Sequence, residues 1–478
     1  MMALWSSKEI AAAIDAQHTG DWDIDGVCID SRAVTVGDLF IALEGPQFDG
    51  HDFFTEALDR GAAAAMVSHI PENAKQTINE ERLITVSDTL QGLNSLAAFS
   101  RKRTTAKICA VTGSVGKTTT KEALTLTLGR QGHTHATAGN LNNHWGAPLS
   151  VSRMPMQTEF GVFELGMNHA GEITPLSRLV RPHVAIVTAV EAVHMEFFNS
   201  LEEIADAKAE IFSGLEPGST AIIPADSPHY DRLCAAALAA GAETVVSFGT
   251  DKKAAYRLIA WTITETGTRV AADVNGRRIV FDIWLRGKHM ALNSLAVLGG
   301  VAALGGDVEQ AAGDLYDVPP PKGRGAHHVV SIDDGSFVII DESYNASPAS
   351  VSALVNTVSA TRRAGRVILA LGDMLELGPQ SDALHANLAV PIEAAGIDVV
   401  YTTGPNMAHL HDALPSRIEK HHAKNSEALS ELLIDSVRDG DIVAVKGSFG
   451  SRMGLVVEAL ERMDTSTSGT NQNVVNGD

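Results

Sequence analysis

The chain has 478 residues, 45% hydrophobic and 20% charged, the make-up of an ordinary globular protein of about three domains. Its formal net charge is −21 with no offsetting block of lysine or arginine, so nucleic acid and anionic membrane are poor partners. The three cysteines, Cys28, Cys109 and Cys234, are odd in number and far apart, which favours a reducing, cytoplasmic setting over disulfides or a thiolate zinc site.

The opening stretch "MMALWSSKEIAAAIDAQ" lacks a basic segment followed by an apolar one, so no secretion signal is expected. No apolar run reaches about 18 residues, so no membrane insertion is expected. Residues 1–87 carry short strands, "GDLFIAL" and "AAAAMVS", and a helix from about Phe53 to Arg60. Residues 88–317 begin with the helix "TLQGLNSLAAFSRKR" and the strand "KICAVTG". They continue through "EFGVFELG", "HVAIVTAV", "STAIIPADS" and "TVVSFG". Such continuously apolar strands fit a parallel sheet covered on both faces. The Pro/Gly-rich "VPPPKGRG" reads as a hinge. Residues 318–464 repeat the alternation with "SFVIIDES", "RVILALGD", "DVVYTTG" and "DIVAVKGS", and the polar residues 465–478 read as a disordered tail. The fold class is therefore α/β, in three domains: a small first domain, a central parallel-sheet domain and a Rossmann-like third.

The strongest local signal is "AVTGSVGKTTTKEAL". A strand runs into a glycine loop and then a helix starting near Lys117. Gly113 and Gly116 allow tight turning and close approach to an anion. The backbone of Ser114 and Val115 and the helix N-terminus can then cradle phosphates. Lys117 is placed for the β- and γ-phosphates, with the Thr118 hydroxyl on Mg²⁺ and Thr119 following on the helix. The broader pattern G-x-x-x-x-G-K-[ST] needs glycine where Val111 stands, so the match is to the narrower T-G-x-x-G-K-T-T.

Two further groups sit at carboxyl ends of strands, where such a site draws its metal ligands. Glu164 ends "VFELG", and His194 lies just past "VAIVTAV". Alone, each reads equally well as a strand-end charge or a loop histidine. After a phosphate loop they read together as magnesium ligands. Fourteen residues after His194, Lys208 interrupts the apolar stripe Leu201, Ile204, Ile211, Phe212, Leu215. By itself it would be a lysine with a buried stem and its ammonium in water.

The ordered set "TGSVGKTT", "FELGMNHAGEI", "AVHMEFF", "ADAKAEIF", "GKHMALNSLAVLG", "KGRGAHH", "DESYNASPAS", "LGDMLELG" and "KGSFGSRM" resembles the Mur ligases, ATP-dependent amide-forming enzymes of peptidoglycan precursor synthesis. The resemblance implies a UDP-sugar-binding first domain, a central ATPase domain and a third domain completing the ligase. It implies two Mg²⁺ ions held by Thr118, Glu164, His194 and Lys208, with Lys208 carboxylated to a carbamate. Asn293 is expected on the nucleotide base and Arg324 on the phosphates. Asp341, Tyr344 and Asn345 are expected in the same nucleotide site, although they could equally prepare the helix start at Ser347-Pro348. Ser347 stands where the family more often has asparagine. Ser31 and Arg32 resemble uridine-diphosphate contacts. Asn140 and Asn143 are expected on the acyl substrate, and Lys446 and Ser448 on one of the two peptides.

Within the family, "GNLNNHWGAPLS", "DESYNASPAS" and "LGDMLELG" resemble the member that joins D-alanyl-D-alanine to a UDP-N-acetylmuramoyl-tripeptide. No Asp-Asn-Pro-Arg motif of the amino-acid-adding members is present. The implied route runs through an acyl phosphate in a monomer whose third domain swings in. The alternatives are another amide ligase of the superfamily, such as folylpolyglutamate synthase, and a phosphate-loop regulatory NTPase. The first block argues against folylpolyglutamate synthase, and Lys208 with "DESYNASP" argues against the NTPase.

Overall fold

Three α/β sheets organise the chain, and each grows from the apolar runs just described. The computed structural model describes residues 3–15, 20–72, 79–192, 196–360 and 365–465. His194 and the tail after residue 465 lie outside the described residues. Packing divides the chain into two compact units, one of residues 1–191, 201–283 and 288–318, the other of 192–200, 284–287 and 319–478.

In the first unit, β1 (Trp5–Ser6) pairs antiparallel with β2 (Asp23–Ile24). Next comes a parallel sheet of β3 (Gly26–Cys28), β4 (Asp38–Ile41), β5 (Ala64–Val67) and β6 (Leu83–Thr85), in that order. Leu39, Met66, Leu93 and Leu96 are buried in its core, joined by Leu149 from the helix Gly146–Ser152. The helix Thr89–Arg103 coincides with the apolar segment read from sequence.

The same unit holds a nine-stranded sheet. Its strands in chain order are β7 (Lys107–Thr112), β8 (Thr134–Ala136), β9 (Phe160–Glu164), β10 (Val184–Val187), β11 (Thr220–Pro224), β12 (Thr244–Gly249), β13 (Tyr256–Thr264), β14 (Gly267–Val274) and β15 (Arg277–Ile283). The spatial order is β15-β14-β13-β12-β11-β10-β7-β9-β8. β8 to β13 pair in parallel, as expected of strands buried on both faces. The antiparallel meander β13–β15 goes beyond the sequence reading. Its second turn is Asn275-Gly276, both at positive φ (50° and 85°), a type I′ hairpin geometry.

Moving out from β7, the chain builds β8 and β9 on one side and β10 to β12 on the other. The sheet therefore reverses its order beside β7, where open α/β sheets bind ligands at the carboxyl ends of their strands. Leu124 and Leu128 of the helix Lys117–Gly129 share one core with Leu295, Leu298 and Val301 of the helix Lys288–Ala303. Each such burial contributes about 1.5–3 kcal/mol, which holds both helix starts firmly at the strand ends.

The second unit has a six-stranded sheet of β16 (Ala326–Ile332), β17 (Gly335–Glu342), β18 (Val367–Gly372), β19 (Val399–Thr403), β20 (Glu419–Ala423) and β21 (Ile442–Lys446). Its order is β16-β17-β21-β18-β19-β20, parallel except for the β16–β17 hairpin. Apolar cores cover it on both faces. Among the described residues, no helix is long and apolar enough to cross a membrane.

Candidate active site

The phosphate loop leaves β7 after Thr112 and enters its helix at Lys117. Gly116 has φ +83°, and a Cβ built there would lie 2.8 Å from the Asn293 carboxamide. Glycine is thus needed twice over, for backbone conformation and for space. The same contact brings Asn293 against the loop. The Lys117 Nζ donates to Gly113 O at 2.7 Å.

The segment after β10 is stapled to the loop. The Thr188 hydroxyl donates to Val115 O at 2.6 Å, Glu191 N–H donates to Ser114 Oγ at 2.9 Å, and that hydroxyl donates to Glu191 O at 3.1 Å. Next along the chain come the residues around His194, outside the described set.

β7 and β9 are adjacent, with Val111 opposite Glu164. Glu164 is buried, and the segment after β8 holds it and the strand end beside it. Its N–H donates to Thr137 Oγ1 at 3.2 Å, its Oε1 accepts from Asn142 Nδ2 at 2.7 Å, and Gly166 N–H donates to Asn142 O at 2.9 Å. Its other oxygen, Oε2, is buried with no hydrogen-bond partner among the described residues, and so is the Thr118 hydroxyl. Thr119, the next residue on the helix, is buried as well. A buried carboxylate oxygen without a partner is costly. Two hard oxygen donors of this kind beside a phosphate loop fit Mg²⁺.

Lys208 lies on the helix Leu201–Ala209 and is only 1% exposed. Burial pushes its ammonium well below lysine's usual range, the Lys117 charge pushes the same way, and Glu210 acts against them. The bland reading, a stem under a solvated ammonium, does not describe a side chain this deep.

In the first sheet's block, Ser31 is buried in the short turn Ser31–Ala33, which the Asp30 side chain caps. Arg32 is exposed and pairs through two nitrogens with Asp30, at 2.9 and 2.7 Å. Asn140 is exposed. Asn143 uses its Oδ1 to accept from Trp145 and Gly146 N–H, at 3.2 and 2.8 Å, and so starts the helix Gly146–Ser152. Among the described residues, one cluster has metal-ligand spacing: Asp49, His51 and His69. His51 spends both ring nitrogens on the protein, Nδ1 on Asp49 Oδ1 at 2.5 Å and Nε2 accepting from Ser68 N–H at 2.9 Å. It ties two loops together and has no lone pair left for a metal.

The second unit assembles its own group. Asp341 is buried; it accepts from Gly323 N–H at 3.0 Å and Ser343 N–H at 3.1 Å. Tyr344 N–H donates to Gly323 O at 3.1 Å, and the Arg324 guanidinium lies 4.1 Å over the Tyr344 ring. Asn345 Oδ1 accepts from Ala346 N–H at 2.9 Å, and Ser347 caps the helix Pro348–Ala360 by accepting from Ser350 N–H. Asp341 is thus an anchor for the segment that carries Arg324. Lys446 is buried against Glu342 at 3.1 Å. Ser448 accepts from Leu375 N–H at 2.9 Å and donates its own N–H to Asp373 O at 3.0 Å.

Three family models match the chain: the Mur ligase family catalytic domain over residues 23–101, the Mur ligase middle domain over 111–301, and the Mur ligase glutamate ligase domain over 327–449. The chain belongs to the Mur ligase family. It is 35% identical to the UDP-N-acetylmuramoyl-tripeptide–D-alanyl-D-alanine ligase of Rickettsia prowazekii, covering 95% of this chain and 99% of that one. Among solved structures, MurF from Acinetobacter baumannii superposes with a TM-score of 0.82 at 26% identity, over 96% and 99% of the two chains. The Thermotoga maritima MurF ligase, solved with ADP, gives 0.75 at 28%, over 92% and 97%.

Against this family background the sequence reading missed Lys121, Thr137 and Asn142. "GNLNN" drew attention to Asn140 and Asn143, but the asparagine between them holds the buried carboxylate. Lys121, which the sequence reading did not single out, is 1% exposed.

Proposed function

We propose that this Mur ligase joins D-alanyl-D-alanine to a UDP-N-acetylmuramoyl-tripeptide, using ATP, to give the pentapeptide precursor of peptidoglycan. The observation that carries the reading is the end-to-end likeness to a ligase of that name, with the phosphate loop present and the buried Thr118 and Glu164 oxygens without a partner among the described residues.

The tripeptide carboxylate attacks the γ-phosphorus of ATP, and ADP leaves. The amine of the dipeptide then attacks the acyl carbon of the acyl phosphate, inorganic phosphate leaves, and the amine gives up its proton. Lys117 and the loop N–H groups stabilise charge on the transferring phosphoryl group, and Arg324 is the further cation expected there. Thr118 and Glu164 would hold Mg²⁺, with His194 as a further ligand; the metal supplies charge neutralisation at the phosphates. The buried amine of Lys208, poor at holding a proton, is the form that captures CO₂. The resulting carbamate is an anion where a second ammonium would repel Lys117. Ser31 and Arg32 serve the uridine diphosphate, Asn140 and Asn143 border the acyl substrate, and Lys446 and Ser448 serve the peptides. The enzyme acts as a cytoplasmic monomer, and its domains follow the three blocks 1–87, 88–317 and 318–464.

The test is phosphate release from ATP with each substrate alone and with both. Release that requires both peptides, with the amide seen by mass spectrometry, supports the reading. Release indifferent to either peptide would instead favour a regulatory NTPase.

A further inference from the structure

We propose that Lys121 is a positioning residue that sets the orientation of the Glu164 carboxylate by gripping the segment Thr137–Asn142. The proposal rests on the ligase reading only in taking Glu164 as a metal ligand.

Lys121 lies one turn after Lys117, on the same face of the phosphate-loop helix. An ammonium has three donors, and here all three are used: on Glu122 Oε1 at 2.5 Å, Thr137 O at 2.8 Å and Gly139 O at 3.1 Å. With its donors spent and its side chain buried, Lys121 is not available to touch nucleotide or substrate. Its charge is spent on backbone carbonyls just past the end of β8, where charge-assisted bonds are strong.

The gripped segment then makes the contacts that matter. Thr137 Oγ1 takes the Glu164 N–H, and Asn142 Nδ2 ties Glu164 Oε1 at 2.7 Å, while Oε2 has no partner among the described residues. A carboxylate tied by one oxygen presents the other in a fixed direction; untied, it rotates. Leu141 and Trp145, on either side of Asn142 in sequence, pack against the first sheet's core. The segment is thus held by the phosphate-loop helix at Thr137 and Gly139 and by the first sheet around Asn142. One helix carries both the nucleotide grip at Lys117 and the alignment of the metal carboxylate at Lys121.

The experiment is calorimetric ADP binding to the full-length protein, in EDTA and in excess Mg²⁺, with Mn²⁺ binding in the presence of ADP read by electron paramagnetic resonance. The variants are Lys121→Met, Asn142→Ala and their combination. We expect each single variant to bind ADP in EDTA within about twofold of wild type. Each should lose on the order of tenfold of the metal-dependent gain in affinity, the size of effect usual when a group orienting a metal ligand is removed. The double variant should lose no more than the worse single, because both act through one carboxylate. Should Lys121→Met fail to fold, Lys121→Gln, which keeps two donors for the carbonyls, should show a partial loss. A Lys121 variant that keeps the wild-type metal gain while Asn142→Ala loses it overturns this proposal alone. A wild type with no metal-dependent gain overturns the ligase-site reading and this proposal with it.

Discussion

Replacing Lys208 with methionine should make the metal-free protein more stable and the enzyme inactive. Methionine matches the lysine stem in length and keeps the packing, while removing an amine that burial and the Lys117 charge both discourage from ionising. Each pKa unit of depression corresponds to about 1.4 kcal/mol of penalty on the charged form. Exchanging buried charge for apolar volume stabilises other proteins by about 1–4 kcal/mol. At roughly 1–2 °C per kcal/mol for a unit of this size, the melting temperature should still rise measurably.

The sign of the pH dependence follows. Between the depressed pKa of Lys208 and its ordinary 10.5, the unfolded chain binds the proton and the folded one does not. Wild-type stability relative to the variant therefore climbs with pH in that window, by up to about 1.4 kcal/mol per unit. The advantage of Lys208→Met is largest at the acid end and shrinks towards pH 10.5. Thermal denaturation of both proteins in chelator and CO₂-free buffer, across this range, reads it directly. A variant less stable than wild type at neutral pH, or an advantage that grows with pH, would refute the reasoning. With Mg²⁺, ADP and bicarbonate the order should reverse, because only wild type can form the carbamate; added acetate should restore part of the variant's lost turnover.

Gly116→Ala should weaken ATP binding at least tenfold. It places a Cβ against Asn293 and holds an L-residue at φ +83°, a strain of about 1–2 kcal/mol by itself; equilibrium dialysis with labelled ATP checks it, and unchanged binding would remove the loop from the nucleotide site. Thr118→Ala and Glu164→Gln should each raise the Mg²⁺ concentration for half-maximal phosphate release several-fold, because each removes or weakens a buried oxygen that has no other partner among the described residues; titrations matching wild type would deny them to the metal. Asp441→Ala should destabilise the second unit by about 3–5 kcal/mol, since buried Asp441 accepts from the Arg366 guanidinium at 2.7 and 3.2 Å and the charge left behind is costly; denaturant unfolding measures it.

Much of the fold was legible because its signals are local. Continuous apolar strands such as those holding Val111, Val162 and Ile186 marked a parallel sheet, and T-G-x-x-G-K-T-T marked its switch point. The antiparallel meander from Tyr256 to Ile283 carried a local signal too, Asn275-Gly276, but its strands are partly exposed and do not stand out as apolar runs. Glu164 was visible as a charge ending an apolar strand. Its partner Asn142 was not, because the pairing spans 22 residues and depends on how the segment after β8 folds back. Lys121 shows the same limit: the carbonyls that bury it, of Thr137 and Gly139, lie 16 and 18 residues away, past the end of β8. Asn143 was expected on the substrate from the resemblance of "GNLNNHWGAPLS", and its Oδ1 accepts from Trp145 and Gly146 N–H where the next helix begins. Bonding nearby backbone N–H groups is a local habit of asparagine that competes with any ligand role.

Amide formation can be read from a single end-point reaction. The protein is incubated with ATP, Mg²⁺, UDP-N-acetylmuramoyl-tripeptide and D-alanyl-D-alanine, and the products are weighed by mass spectrometry. The expected product is the tripeptide nucleotide joined to the dipeptide with loss of one water, with one ADP and one phosphate formed per bond. ATP consumed with the tripeptide nucleotide recovered unchanged would contradict it.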